Sequence, residues 1–100
     1  MGANHFVVMI AGMAKPGMED YVERSLIHIM EHSRKDNGCL AYNIHVSQEN
    51  PAEFMVYMVW TNREAFEAHN RKPDMIEFRK QLASQWFEQQ SPKTYWHMLG

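Results

Sequence analysis

The spacing of apolar residues along the chain predicts four strands. The stretches His5–Ala14 (HFVVMIAGMA) and Glu53–Thr61 (EFMVYMVWT) are apolar at nearly every position, which is typical of strands covered on both faces. The stretch Cys39–Ser47 (CLAYNIHVS) alternates between apolar and more polar residues, as a strand with one face against the core would. After Pro92, the stretch Lys93–Leu99 (KTYWHML) predicts a last short strand.

Helical spacing separates these strands. From Met18 to Met30, apolar residues recur every three or four positions, which predicts an amphipathic helix that ends at Asn37-Gly38. Asn62 is suited to cap a short helix, and Pro73 to stand in the first turn of a further one. The inner face of the short helix consists of Ala65, Phe66 and His69, and the stripe of the later helix consists of Met75, Phe78, Arg79, Leu82 and Trp86.

The predicted order is strand, helix, strand, strand, helix, strand, which is that of an α+β, ferredoxin-like βαββαβ fold with an antiparallel sheet. No linker or repeat divides the chain, so residues 1–100 are expected to form a single domain. Helices in this fold cover one face of the sheet. Since the first and third strands are apolar on both faces, the other face would expose a hydrophobic patch. We therefore expect a homodimer that joins two such sheet faces.

Composition and charge exclude several classes of protein. Ten Lys and Arg against twelve Asp and Glu give a net charge of −2, which does not suit a nucleic-acid-binding protein. The single cysteine, Cys39, cannot form an internal disulfide. The longest apolar stretch, Phe6–Ala14, is far shorter than the roughly 20 residues of a membrane helix, and no basic segment precedes it as in a signal peptide. We expect a cytoplasmic protein with no membrane or nucleic-acid partner.

A set of characteristic residues is spread over the segment from Gly38 to Met75. It comprises Gly38-Cys39-Leu40, Tyr42, His45, Phe54, Tyr57, Trp60, Glu67-Ala68-His69 and Pro73, preceded by the turn Lys15-Pro16-Gly17. This set resembles the antibiotic biosynthesis monooxygenase family. The resemblance implies a dimeric α+β barrel with a pocket between sheet and helices in each subunit. It also implies an oxygenase without metal or flavin, in which a deprotonated substrate passes an electron to O₂ while the protein supplies a base and a dry pocket.

The chain departs from the haem-degrading members of that family at three positions. Those members carry an Asn on the first strand, a Trp on the short helix and an axial His on the next helix, where this chain has Ile10, His69 and Arg79. An arginine cannot replace histidine as an iron ligand, so haem degradation is disfavoured. Asp74 stands where members often have a second histidine, which argues against mechanisms that need one there.

His69 is the leading candidate for a catalytic base. An imidazole with an ordinary pKa of about 6.5 suits the deprotonation of an acidic phenol or hydroquinone. The alternative is a buried histidine that is hydrogen-bonded to a backbone carbonyl. Arg79 is a candidate for stabilising the resulting anion. It lies on an apolar stripe, where an unpaired guanidinium is costly, so it either pairs with an acid or meets an anionic substrate.

Further candidates lie on the second and third strands. If the face that Asn43 and His45 share lines the pocket, Asn43 would stabilise an oxyanion and His45 would transfer a proton. If that face meets solvent or the dimer partner, both are ordinary polar residues. Unless they serve only as core, several aromatic residues would form a cavity for a planar ring: Tyr57, Trp60, Phe66, Trp86 and Trp96.

The segment His28–His32 (HIMEH) matches the inverted zincin pattern H-x-x-E-H, in which two histidines one helical turn apart share a metal ion. No third-ligand constellation is evident further along the chain, so we expect no metal site and no cofactor. The leading hypothesis is a cofactor-independent monooxygenase for a small aromatic or quinone-like substrate and O₂. The alternatives are an isomerase or lyase acting on a small ketone or its phosphate, and a non-catalytic dimer that binds a small molecule.

Overall fold

A computed structural model describes residues 5–89 and 92–99, and the side chains of Gln85, Trp86 and Gln89 lie outside that description. Over these described residues the chain forms three long strands, three α-helices, a π-helical segment and two short strands. In order these are β1 (Phe6–Ala14), α1 (Glu19–Ser33), β2 (Cys39–Val46), β3 (Glu53–Trp60), α2 (Arg63–Asn70), α3 (Pro73–Gln81), the π-helical segment (Leu82–Trp86), β4 (Phe87–Gln89) and β5 (Thr94–His97).

The sheet is antiparallel with the order β2-β3-β1-β4, and β5 also pairs with β1. The outer edge of β1 is therefore shared, because β4 pairs with Gly12–Ala14 and β5 pairs with Phe6–Met9. On its other edge β1 pairs with β3 from Phe6↔Trp60 to Met13↔Glu53. This arrangement confirms the predicted α+β, ferredoxin-like fold with an antiparallel sheet.

The end of the later helix differs from the sequence prediction. The predicted stripe ran to Trp86, but α3 ends at Gln81 and the chain widens into the π-helical segment before β4, a strand that the sequence did not predict. Phe87 accounts for this early end of α3, because its side chain is buried in the core and its backbone pairs with Ala14 of β1. Gly12 makes room for it, because a Cβ at this position would overlap the Phe87 ring.

The three α-helices pack on one face of the sheet, which we call the helix-side face. Side chains alternate along a strand, so each strand contributes every second residue to this face. The core that they form with the helices includes Phe6 and Val8 of β1, Tyr42 of β2, Val56, Met58 and Trp60 of β3, Leu26 of α1, Phe66 of α2 and Met75 of α3.

The opposite face, which we call the open face, carries the intervening residues of the same strands. In the described part of the chain, the helices pack on the other side of the sheet. Trp96 of β5 is 54% exposed on this face. Its other members include Met9, Ala11 and Met13 of β1, Met55, Tyr57 and Val59 of β3, and Asn43 and His45 of β2. None of the helices among the described residues is long and apolar enough to cross a membrane.

Candidate active site

A cavity of about 270 Å³ lies between the helix-side face and the helices. The sheet supplies an apolar floor to this cavity, and the helices and the π-helical segment supply its walls. Most of the lining is hydrophobic, and the side chains that can bear a charge there are His69, Arg79 and Lys93. The residues that line it include Ile10, Tyr42, Val56, Met58, Phe66, Met75, Phe78 and Leu82.

His69 lies in the last turn of α2, on the side that faces the sheet. The helix begins where the Asn62 Oδ1 accepts a hydrogen bond from the Ala65 N–H at 2.9 Å, as the sequence predicted for a cap. His69 is 2% exposed and its ring lies 4.8 Å from the Trp60 ring, centre to centre. The buried Tyr42 ring lies on the same side at 5.9 Å. The imidazole is thus enclosed by aromatic residues at the cavity wall.

Asp36 holds one nitrogen of this imidazole. The Asp36 Oδ2 lies 2.7 Å from the His69 Nδ1, and the Lys72 Nζ donates a hydrogen bond to the other carboxylate oxygen at 2.6 Å. Asp36 lies in the connection between α1 and β2, close to Gly38, whose φ of +84° is the left-handed conformation that favours glycine. The fold therefore brings Asp36 to His69 and Lys72, which lie three residues apart at the end of α2 and just beyond it.

The electrostatics define the state of this pair. Burial lowers the pKa of His69 below its usual value of 6.5 and outweighs the hydrogen bond with Asp36, which raises it. For Asp36, burial alone would raise the pKa, but the hydrogen bonds from Lys72 and His69 lower it below the usual 3.8. At neutral pH we therefore assign an ionised Asp36 that accepts the Nδ1–H of a neutral His69. The remaining nitrogen, Nε2, is then the atom that can accept a proton.

Arg79 borders the cavity from α3, and its hydrogen-bond partner among the described residues is Asn70 rather than an acid. Its two terminal nitrogens donate to the Asn70 side-chain oxygen at 3.2 Å and to the Asn70 backbone oxygen at 2.9 Å. Among the described residues no carboxylate lies within 4 Å of its guanidinium. Of the two alternatives from the sequence, an acidic partner or an anionic substrate, the described residues do not supply the acid, and the neutral Asn70 at the end of α2 holds the guanidinium instead.

Lys93 and Tyr42 complete the polar part of the lining. Burial, with a further contribution from the charge of Arg79, lowers the pKa of Lys93, whose Nζ lies 5.8 Å from the centre of the Phe66 ring. Burial raises the pKa of Tyr42 to about 12, so this phenol stays protonated at neutral pH. His69, whose imidazole has a pKa below its usual 6.5, is suited to accept a proton at neutral pH.

The structure brings some of the sequence candidates together and separates others. His69, Arg79 and Phe66 line the cavity, and Trp60 lies fully buried directly behind His69. The candidates on the open face are not brought to the cavity of this chain, since the alternation of β2 and β3 turns them away from the helices. These are Asn43, His45 and Tyr57.

Local contacts account for two of those displaced residues. The Asn43 Oδ1 accepts a hydrogen bond from Arg34 at 2.9 Å, and the His45 Nδ1 lies 3.3 Å from the Met55 backbone oxygen. Trp96 also lies on the open face. The predicted role of Trp86 falls on a side chain outside the described part of the chain.

Three site residues escaped the sequence analysis. Asp36 and Lys72 are polar residues in connections, and the sequence separation of 33 between Asp36 and His69 leaves no local pattern that pairs them. Lys93 was assigned only to a strand, whereas it lies just before β5 and reaches the cavity. The one available signal was an acid two residues before the glycine of the connection between α1 and β2.

The segment His28–His32 has a different environment. The two histidine rings stack with their centres 6.2 Å apart, and the His32 Nε2 lies 3.3 Å from an Asp74 carboxylate oxygen on α3. Within residues 5–89 and 92–99, no group of three or more His, Cys, Asp or Glu side chains is arranged to hold a metal ion. The contact with Asp74 places His32 at the surface where α1 meets α3.

The fold and the site define a class of small α+β protein with a buried histidine at an apolar cavity. Residues 5–81 match the family model of the antibiotic biosynthesis monooxygenases. The chain belongs to this family, which confirms the resemblance noted from its sequence. It is also 31% identical over 74 residues, or 71% of its length, to an uncharacterised protein of Synechocystis sp.. The chain spans half the length of that relative.

Solved structures show the same fold at low sequence identity. A protein of Deinococcus radiodurans, provisionally described as an antibiotic biosynthesis monooxygenase, superposes with a TM-score of 0.86 at 19% identity, over 95% of this chain and 93% of its own. One of Nitrosomonas europaea with the same provisional description gives 0.81 at 18% identity, over 100% and 93%. A conserved protein of Methanosarcina mazei gives 0.86 at 17% identity, over 98% and 96%.

Proposed function

We propose that the chain is a monooxygenase that needs neither metal nor flavin and oxidises a hydroxylated aromatic or quinol with O₂. The observation that carries the proposal is His69, a buried imidazole at an apolar cavity whose Nδ1 lies 2.7 Å from the Asp36 carboxylate. A histidine held in this way can take a proton from a substrate hydroxyl through Nε2. Family membership supports the reaction type.

The reaction needs no external reductant. His69 takes the proton of the substrate hydroxyl, and the resulting anion is electron-rich enough to pass an electron to O₂. For a hydroquinone, the products are a hydroxyquinone and one molecule of water, so O₂ supplies one oxygen atom to the ring and the other leaves in the water. The apolar lining favours this chemistry because it excludes bulk water, and the positive charge of Arg79 in the same cavity favours an anionic substrate.

Asp36 acts as a positioning residue in this proposal. Its carboxylate fixes the Nδ1–H tautomer of His69 and stabilises the imidazolium that forms when the proton is taken up. Lys72 holds the other carboxylate oxygen, so the carboxylate keeps one orientation. Phe66 borders the space beside His69 and Trp60 supports the imidazole from behind, which leaves little freedom for the ring to turn.

We also propose that the single domain of residues 1–100 forms a homodimer through the open face. The apolar residues of β1 and β3 on that face, which include Met9 and Met55, support this assembly. A sheet that is apolar on both sides is typical of strands covered on both sides. The two cavities of the dimer would then face away from each other.

The test of the proposed function is O₂ uptake by chelator-treated protein that lacks flavin absorbance, with a panel of hydroquinones and anthrones. We expect uptake by the wild type and a loss of roughly 10²–10⁴-fold in His69→Ala. Full activity of this variant would refute the role of His69. Conversion of a substrate without O₂ uptake would identify an isomerase or lyase instead.

Asp36→Asn separates a positioning role from a structural one. We expect a lower kcat and, since the Asp36 carboxylate raises the pKa of His69, an acid limb of the pH–rate profile that moves to lower pH. A variant that lost activity without a shift of the profile would show that Asp36 only supports the fold. Glu67→Gln, which removes the carboxylate of an exposed ion pair on α2, is the matched control.

A further inference from the structure

The cavity holds two cationic side chains for which the described residues offer no acid. Arg79 and Lys93 both line it, and the ion pairs of the described chain join other residues. Two like charges in a mainly apolar space repel each other and lose hydration, so the arrangement is costly in the empty protein. The cost is offset when a negatively charged ligand occupies the cavity.

Arg79 is held ready for such a ligand. Its two hydrogen bonds both go to Asn70, which fixes the plane of the guanidinium without neutralising it. A guanidinium has five N–H groups, so three of them are left without a partner among the described residues. A fixed fork of N–H donors is the geometry that binds a carboxylate or a phosphate with two parallel hydrogen bonds.

The depressed pKa of Lys93 supports the same interpretation. Burial and the charge of Arg79 both disfavour the protonated amine. An anion placed between the two side chains would reverse the second of these effects and favour the protonated form. The positive charge of Lys93 would thus be stabilised by an anion bound in the cavity.

A transient anion alone does not account for two cations. The proposed reaction makes one negative charge on the substrate and, in the same step, one positive charge on His69. The positive charge of Arg79, and that of Lys93 when it is protonated, therefore exceed what the reaction generates. We propose that the substrate carries a permanent anionic group, a carboxylate or a phosphate, next to its apolar ring, and that Arg79 and Lys93 bind this group. The inference rests on the proposed function only in that it takes the cavity as the substrate site.

The test is equilibrium binding of three naphthalene probes to the purified protein, measured by calorimetry. The probes are 2-naphthoate, 2-naphthyl phosphate and the neutral 2-naphthamide. We expect at least one anion to bind about tenfold or more tightly than the amide, and the tighter of the two anions identifies the group. Equal binding of all three, tighter binding of the amide, or no binding of any probe would overturn the inference.

Three variants assign the preference to named side chains. Arg79→Gln and Lys93→Met should each reduce the preference for the anion about tenfold and leave amide binding unchanged, which also reports an intact cavity. Lys80→Met removes the same charge from an exposed position of α3 and should keep the full preference. A preference that survives both cavity variants would overturn the inference.

Oxygen uptake separates this inference from the proposed function. A protein that prefers the anionic probes but consumes no O₂ with any hydroquinone would refute the oxygenase and leave the anion site. A protein that oxidises neutral and carboxylated hydroquinones equally well, and loses this activity in His69→Ala, would refute the anion site and support the oxygenase.

Discussion

The two faces of the sheet are built from the same strands and are similarly apolar, yet they have different surroundings. The helix-side face is covered within the chain and leaves a cavity with one buried imidazole, whereas the open face carries the partly exposed Trp96 and several methionines. Polar residues differ as well, since Asn43 and His45 of the open face contact near neighbours, whereas His69 contacts a distant acid. Apolarity alone therefore does not distinguish the two faces. The helix-side face is marked instead by the buried His69 imidazole and the partly buried Asp36 carboxylate that it contacts.

The largest effect that distinguishes the faces is expected from two methionines of β3. Met58 is 4% exposed on the helix-side face, and Met55 lies three residues earlier on the open face. Met58→Ala should lower the free energy of unfolding by about 2–5 kcal/mol, because it leaves a hole in the core. Met55→Ala should cost less than about 1 kcal/mol in dilute protein, where no second subunit covers it. Urea unfolding at several protein concentrations measures both, and equal losses in dilute protein would contradict the distinction.

A smaller effect is expected on assembly. Met9→Lys places a charge in the middle of the open face and should weaken dimerisation by about 2 kcal/mol or more, roughly 30-fold. Ile76→Lys adds the same charge at a 44% exposed position of α3 and should leave the dimer intact. Sedimentation velocity over a range of concentrations distinguishes the two. A wild type that sediments as a monomer throughout would refute the proposed dimer.

The smallest effect is a pH dependence that arises on the helix-side face. Because burial lowers the pKa of His69 below 6.5, the unfolded chain binds this proton more readily than the folded protein. Stability should therefore fall as the pH drops below about 6.5, by at most about 1.4 kcal/mol per pH unit for one proton. The stabilising contribution of Asp36 is lost only below its ordinary pKa of 3.8, outside this range. Urea unfolding at about pH 7 and about pH 5 should show a larger loss for the wild type than for His69→Gln. Equal losses would contradict this assignment.

The sequence predicted the elements that depend on local patterns. The alternation in β2, the continuous apolarity of β1 and β3, the Asn62 cap and the Pro73 start all follow from neighbouring residues, and the structure confirms them. The predicted end of the later helix was wrong, because Phe87 packs against the distant Gly12 and forms a strand beside β1. Such a contact leaves no periodic signal in the sequence.

The site was predicted only in part, for a similar reason. His69, Phe66 and Arg79 lie on helices whose spacing reveals an inner face. Which face of the sheet meets those helices depends on the register and packing of the whole sheet. The sequence therefore could not show whether Asn43 and Tyr57 face the cavity or the open side. Asp36 and Lys93 lie in connections, where side-chain direction follows from tertiary packing.

The shared edge of β1 has a consequence for how this protein can diversify. β4 pairs with one end of that edge and β5 with the other, and Lys93, which lies just before β5, lines the cavity. Connections tolerate changes of length and composition better than the strands they join. A relative could therefore alter the charge offered to its ligand by changing this connection alone, with β1, β3 and the imidazole left in place. In the proposed anion site, the residue beside β5 would then vary with the ligand while the strands that hold the fold stay the same.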